Sequence, residues 1–195
     1  AGMSSAPGQT TAPLTEWLAA RRSEASRLAG EREMPTTIER PWKYLDISTL
    51  SLDGFTPVEP GVDIASPASV SVVPFEDAIG ANAEAIRKHL GSAVPAGRNK
   101  LTAIHYGALT GGVLVDVPAN VEGDEPIQLT RQYTGANALA TPHTLIVTGA
   151  NSRVTVVEDF RSSEEEIVAL PVVEIIPGPA SEVRYFAIHR WGTKT

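Results

Sequence analysis

Pro142-His-Thr-Leu-Ile-Val-Thr-Gly-Ala-Asn-Ser-Arg-Val154 nearly repeats itself 29 residues later as Pro171-Val-Val-Glu-Ile-Ile-Pro-Gly-Pro-Ala-Ser-Glu-Val183. Pro142/Pro171, Ile146/Ile175, Gly149/Gly178, Ser152/Ser181, Val154/Val183 and Arg161/Arg190 pair at that offset, and a looser copy, Val113-Leu-Val-Asp-Val-Pro-Ala-Asn120, precedes them. Each unit reads strand, Gly/Pro/Asn corner, strand. A strand pair of this size cannot bury its apolar face alone, so the copies must stack. The expectation is a mainly β chain with N-terminal helices, built as a β-helix and stopping partway through it. No cap follows the strand-like Tyr185-Phe-Ala-Ile-His-Arg-Trp191, so the C-terminal end is expected to be uncapped, with edge pairing to another chain or a homodimer as the consequence.

The strands are expected at 113–117, 126–133, 143–148, 153–160, 168–176 and 182–190. Arg153-Val-Thr-Val-Val-Glu158 alternates, with Val154 and Val156 on one face. Corners at Gly149-Ala-Asn-Ser152 and Gly178-Pro-Ala-Ser181 use residues that tolerate positive φ or bond the local backbone. Upstream, Leu14, Trp17, Leu18, Ala25 and Leu28 follow a helical period, and Gly30 supplies a stop. Glu39-Arg-Pro-Trp-Lys-Tyr-Leu-Asp46 cannot run through Pro41 as an unbroken helix, and its Trp42 and Tyr44 rings are suited to anchoring it. Residues 52–74 read as a Pro-rich linker with one or two short strands. Helix is expected again from Phe75 to His89, with a break near Asn82, and from Lys100 to Leu109. The domain reading is a disordered tail or tag over 1–13, a helical region with linker over 14–110, and the first coils of the β-helix over 111–195.

The 195 residues are 42% hydrophobic and 20% charged, ordinary for a globular protein. A net charge of −7 without a basic run argues against nucleic acid as a partner. With no cysteine, a disulfide, a thiolate metal site and a cysteine nucleophile are excluded within the chain. No apolar run reaches the ~20 residues a membrane span needs, and the start lacks the order of a signal peptide, so a cytoplasmic location is expected.

Candidate chemistry is sparse. The histidines at 89, 105, 143 and 189 show no metal-ligand spacing, and core or surface roles are their default. Glu158 and Asp159 are neighbours, so in a strand they point to opposite faces. Asp116, Glu158 and Glu174 are the carboxylates a carbohydrate-active β-helix enzyme would use, but they are out of register along the repeat. Glu164-Glu-Glu166 reads as a solvated face, and Trp42 has no pocket signature near it. Phosphate loops and Gly-x-Ser-x-Gly elbows are missing. No catalytic, cofactor-binding or metal residue is therefore nominated, and the chain reads as a non-enzymatic structural or interaction surface. A polymerising solenoid of the cytoskeletal kind is a further alternative.

Glu39-Arg-Pro-Trp-Lys-Tyr44 with Leu50-Ser-Leu52, Gly111-Gly-Val-Leu-Val-Asp-Val-Pro-Ala-Asn-Val121 with Glu125-Pro-Ile-Gln-Leu129, and Thr144 to Phe160 form an ordered series of motifs. That series resembles the SufB/SufD family of iron–sulfur cluster assembly proteins from about residue 14 onward. The Trp17 helix and the Trp42 motif favour the SufD branch. The resemblance implies a helical N-terminal region, a right-handed parallel β-helix and a helical C-terminal domain. It also implies a complex with a SufB-like paralogue and the ABC-type ATPase SufC, on which an iron–sulfur cluster is assembled transiently. In the family, SufC contacts the C-terminal domain and the cluster-assembly residues lie late in the β-helix or beyond. Family length is about twice that present, so no family functional residue carries over to a position here. One departure is visible: His105-Tyr106 stands where the family more often has Asn and a small or acidic residue.

Overall fold

The computed structural model describes residues 13–195. The expected tail over 1–13 thus lies outside the described residues except at Pro13. Among the described residues three α-helices, α1 (Leu14–Glu31), α2 (Gly80–His89) and α3 (Lys100–Gly107), accompany eleven strands. These are β1 (Thr56–Val58), β2 (Val62–Ala65), β3 (Ser71–Pro74), β4 (Val113–Val117), β5 (Ile127–Tyr133), β6 (Ala138–Ala140), β7 (His143–Thr148), β8 (Arg153–Ser162), β9 (Ile167–Ala169), β10 (Val172–Ile176) and β11 (Glu182–Arg190).

The strands form three sheets, in the orders β1-β6-β9, β10-β7-β4-β3 and β11-β8-β5-β2. Copies of the repeat lie side by side in parallel. Val172 pairs with His143 and Val183 with Val154, both at the 29-residue offset. The expectation of a right-handed parallel β-helix is nevertheless overturned. Two of the three sheets are mixed, because β2 runs antiparallel to β5 and β3 antiparallel to β4, and no closed solenoid forms among the described residues. The physical cause lies in residues 52–74. Turns among their prolines let three short strands join the sheet edges, where the missing proline N–H is tolerated, and two of them, β2 and β3, do so in the reverse direction while β1 stays parallel to β6.

The corners enforce the stacking. A Cβ on Gly149 would sit 2.3 Å from Ala119 N, and one on Gly178 would sit 2.5 Å from Thr148 O, so only glycine lets the layers approach. Asn120 and Asn151 take the left-handed conformation, and Asn151 Nδ2 donates to Asn120 Oδ1 at 3.3 Å. Between the sheets, Val113, Val115, Val117, Ile127, Leu129, Ile146, Val154 and Val156 form one apolar cluster. Each such side chain contributes about 1.5–3 kcal/mol when fully buried.

The helices cover one sheet. Leu14 and Ala25 of α1, Ala83 and Ile86 of α2 and Tyr106 of α3 pack with Phe75, Leu114 and Leu145. The break expected near Asn82 comes earlier, at Ala78-Ile79, between a short turn over Phe75–Asp77 and α2. Trp42 is half-buried and anchors its segment, but Tyr44 is 91% exposed and does not. No helix among the described residues is long and apolar enough to cross a membrane.

Candidate functional site

Two buried polar clusters meet at the boundary between helices and sheets. The first is centred on Arg131. Strand β5 alternates Ile127, Leu129, Arg131, Tyr133 towards the interior, so a guanidinium occupies a core position and is fully buried. Glu158 reaches the same interior because it continues the Val154, Val156 face of β8. Arg131 Nε donates to Glu158 Oε1 at 3.1 Å, and Nη1 donates to Glu59 Oε1 at 2.7 Å. Its Nη2 donates to His143 O and Thr144 Oγ1, both at 3.3 Å. Thr144 Oγ1 donates in turn to Glu158 Oε1 at 2.7 Å, and Tyr185 OH donates to Glu158 Oε2 at 2.8 Å.

One cation thus faces two carboxylates. Burial pushes Glu59 up to about 7, a rise that nearby Arg131 only partly offsets, and its Oε2 has no hydrogen-bond partner among the described residues. Glu59 also lines an open cavity of about 350 Å³ with Val58, Pro60, Tyr133 and Thr134.

The second cluster is centred on Glu174 of β10, which is fully buried. Helix α2 ends at a left-handed Gly91 (φ +81°), and the chain beyond it turns its N–H groups inward. Gly91 N donates to Glu174 Oε2 at 2.6 Å, while Ala93 N and Val94 N donate to Oε1 at 2.9 and 2.8 Å. Helix α3 supplies the opposite wall. Asn99 and Thr102 form a reciprocal capping box that fixes its start, a cap contributing about 1 kcal/mol. The helix then places Tyr106 OH 2.9 Å from Val94 O and 3.2 Å from Glu174 Oε2.

Beside it, His105 Nδ1 lies 2.7 Å from Leu170 O, and His105 Nε2 lies 2.9 Å from His143 Nδ1. His143 Nε2 is 3.4 Å from Glu174 Oε2 and makes no hydrogen bond among the described residues. Burial, reinforced by His143, pushes His105 down to about 3, and burial also lowers His143. Burial alone would raise Glu174, but the adjacent His143 and the N–H groups of Gly91 and Val94 outweigh it and hold it at about 2.

The clusters join at His143, whose carbonyl belongs to the first and whose ring belongs to the second. Glu158 and Asp159 do point to opposite faces, with Asp159 outward against Arg161 and Arg190. Asp116 is paired with Val147 and Glu174 with Leu145, so these carboxylates are out of register on their shared sheet. Glu164, Glu165 and Glu166 are exposed. Sequence reasoning missed the approach of His105 to His143, which sit on a helix and a strand with no spacing rule linking them. It also missed Trp42 beside His105 in a cavity of about 270 Å³. The inward role of Arg131 was available from the alternation of β5. Among the described residues no group of three or more histidines and carboxylates is placed to hold a metal.

Comparison with known proteins shows what this parallel stack of repeats with its ion-paired interior is similar to. Residues 131–195 match the family model described as the SUF system FeS cluster assembly, SufBD core domain. The iron–sulfur cluster assembly protein SufD of Bacillus subtilis (strain 168) is 33% identical over 92 residues, covering 46% of this chain and 21% of that protein. The iron–sulfur cluster assembly SufBD family protein ycf24 of Guillardia theta is 27% identical over 130 residues, 65% of this chain and 26% of its own length. The chain is thus similar to SufB/SufD-type proteins over part of its length, and its matches span about a quarter or less of the length of these relatives.

Proposed function

We propose that this chain is part of a SufD-type scaffold subunit for iron–sulfur cluster assembly. It acts with a SufB-like paralogue and a SufC-like ABC ATPase, and the cluster is cargo built on the complex. In this reading the chain performs no catalytic step itself. The energy comes from ATP hydrolysis in the SufC-like partner, and the assembly works in the cytoplasm. The observation that carries the reading is the SufBD core match over residues 131–195, the part that contains Arg131, Glu158 and Glu174. Supporting it, the buried side chains of this part are spent on holding strands and helices together, as a rigid scaffold requires.

Co-expression with SufB-type and SufC-type proteins from the same genome tests the proposal. It uses both this chain and the longest open reading frame that contains it. The expected result is co-purification of both partners with the longer protein, and loss of the ATPase from the 195-residue chain. If the longer protein captures neither partner, the proposal falls.

A further inference from the structure

The buried imidazole pair is one hydrogen short of satisfying its surroundings. Leu170 O can only accept, so His105 Nδ1, 2.7 Å away, carries a hydrogen. The 2.9 Å contact from His105 Nε2 to His143 Nδ1 uses one more. Glu174 Oε2, 3.4 Å beyond His143 Nε2, is another acceptor. Three contacts need three ring hydrogens, and two neutral imidazoles carry two. Keeping both short contacts leaves one arrangement: each ring is protonated on Nδ1, and His143 Nε2 presents a bare lone pair to a carboxylate. The geometry agrees. The 3.4 Å contact is the one that is no hydrogen bond, and Nε2 has no hydrogen-bond partner among the described residues although the ring is fully buried.

We propose that the gap between His143 Nε2 and Glu174 Oε2 is a binding site for a single proton, and that filling it loosens the docking of the helices on the sheet. The proton comes from solvent and forms an N–H bond at Nε2, while Nδ1–H stays on His105. The new donor points at Oε2, which already accepts from Gly91 N at 2.6 Å and lies 3.2 Å from Tyr106 OH. A third donor on one oxygen competes with the other two. Tyr106 OH then donates to Val94 O alone, and the hold on residues 91–94 weakens.

The charged and titratable groups around the site come from every element packed on it. They are Glu174 from β10, His105 and Tyr106 from α3, Arg131 from β5, Glu158 from β8 and His89 from α2, with Arg21 of α1 behind Tyr106. Glu174 is the nearest anion, and Arg131 opposes the proton. A charged His143 repels a second proton from His105, so the pair binds one and not two.

Long-range ¹H–¹⁵N spectra of the histidines in the ¹⁵N-labelled 195-residue chain test this. At pH 7.5 both His105 and His143 are expected as Nδ1–H tautomers. On acidification the pair is expected to take up one proton, at His143, with the Gly91 amide shifting at the same midpoint. Glu174→Gln is expected to lower that midpoint by about one pH unit or more, because it removes the facing anion. A hydrogen on His143 Nε2 at pH 7.5 overturns the proposal, as do two independent titrations near pH 6.5 or an indifferent Gly91 amide. A Zn²⁺-induced shift of Nε2 at pH 7.5 also overturns it, since the gap would then be a metal site. If Glu174→Gln does not fold, the wild-type tautomers decide alone. His105→Gln gives a second check, because His143 should keep its Nδ1 hydrogen towards the glutamine carbonyl.

Discussion

The two buried clusters neutralise their carboxylates by opposite means. Around Arg131 a permanent cation holds Glu59 and Glu158, with hydroxyls from Thr144 and Tyr185 filling in. Around Glu174 no fixed cation makes contact among the described residues, and three backbone N–H groups with one phenol do the work. The first cluster ties strand to strand, while the second ties the helices to a strand. A guanidinium keeps its charge at any ordinary pH. Backbone donors act only while the loop that carries them keeps its shape. The sheet interior is therefore held by charge and the helix docking by conformation.

Removing the cation should produce the largest effect. Arg131→Met leaves two buried carboxylates unpaired, and breaking a buried pair in this way costs about 3–5 kcal/mol. Urea unfolding of the variant should show that loss. A loss below about 1 kcal/mol would mean that the cation is not what holds the interior, since that is the range of exposed pairs. Glu174→Ala comes next, at about 2–4 kcal/mol, because it strands the N–H groups of Gly91, Ala93 and Val94. Hydrogen exchange separates the two variants: Glu174→Ala should expose amides 91–94 selectively, whereas Arg131→Met should lower protection across β5 and β8.

The clusters should also respond oppositely to pH. Glu59 has a folded value of about 7 against 4.5 as a free side chain, so the folded state binds the extra proton. Its contribution is complete below pH 4.5 and is lost as pH rises through 7. His105, lowered to about 3 from 6.5, behaves in reverse: its contribution is complete above pH 6.5 and is lost progressively as pH falls towards 3. His143 shifts in the same direction, and Glu174, at about 2 against 4.5, adds a further loss below pH 4.5. Between pH 4.5 and 7 the loss from Glu59 opposes the gain from the histidines, so stability is expected to rise at acid pH and level off towards neutrality. Melting curves of Glu59→Gln should keep the limb below pH 4.5 and rise more steeply between pH 4.5 and 7. An unchanged slope in that window would show that Glu59 is already ionised across it in the folded protein.

Much of the first cluster was legible and little of the second. The alternation that put Val154 and Val156 on one face of β8 continues without interruption to Glu158 and Phe160, so an inward carboxylate was written into the period. The same reading of Ile127-Gln-Leu-Thr-Arg131 delivers its cation. The repeat offset reported which strands are neighbours, as the Gly149/Gly178 and Val154/Val183 pairings show. It could not report strand direction elsewhere, and β2 and β3, hidden among prolines, reverse it and remove the expected β-helix. The Glu174 cluster depends on backbone donors, which no side-chain pattern encodes. Its two histidines are 38 residues apart on different element types. Contacts made by main chain are invisible until the turn after α2 exists.

The smallest effect tests the comparison most closely, because the same atom is deleted on each side. Tyr185→Phe removes a hydroxyl that donates to Glu158 Oε2 at 2.8 Å, and no other hydrogen bond reaches that oxygen among the described residues. Tyr106→Phe removes one that is shared between Val94 O and Glu174 Oε2, and Glu174 keeps its three N–H donors. A buried charged oxygen left without a donor costs about 1.5–3 kcal/mol, whereas one donor among several costs about 0.5–1 kcal/mol. Tyr185→Phe should therefore be the more destabilising, even though Tyr185 sits on β11, next to a single strand, and Tyr106 is buried between helix and sheet. Burial alone ranks them the other way. Equal losses, or a larger one for Tyr106→Phe, would mean that packing and not donor count decides how these carboxylates are held.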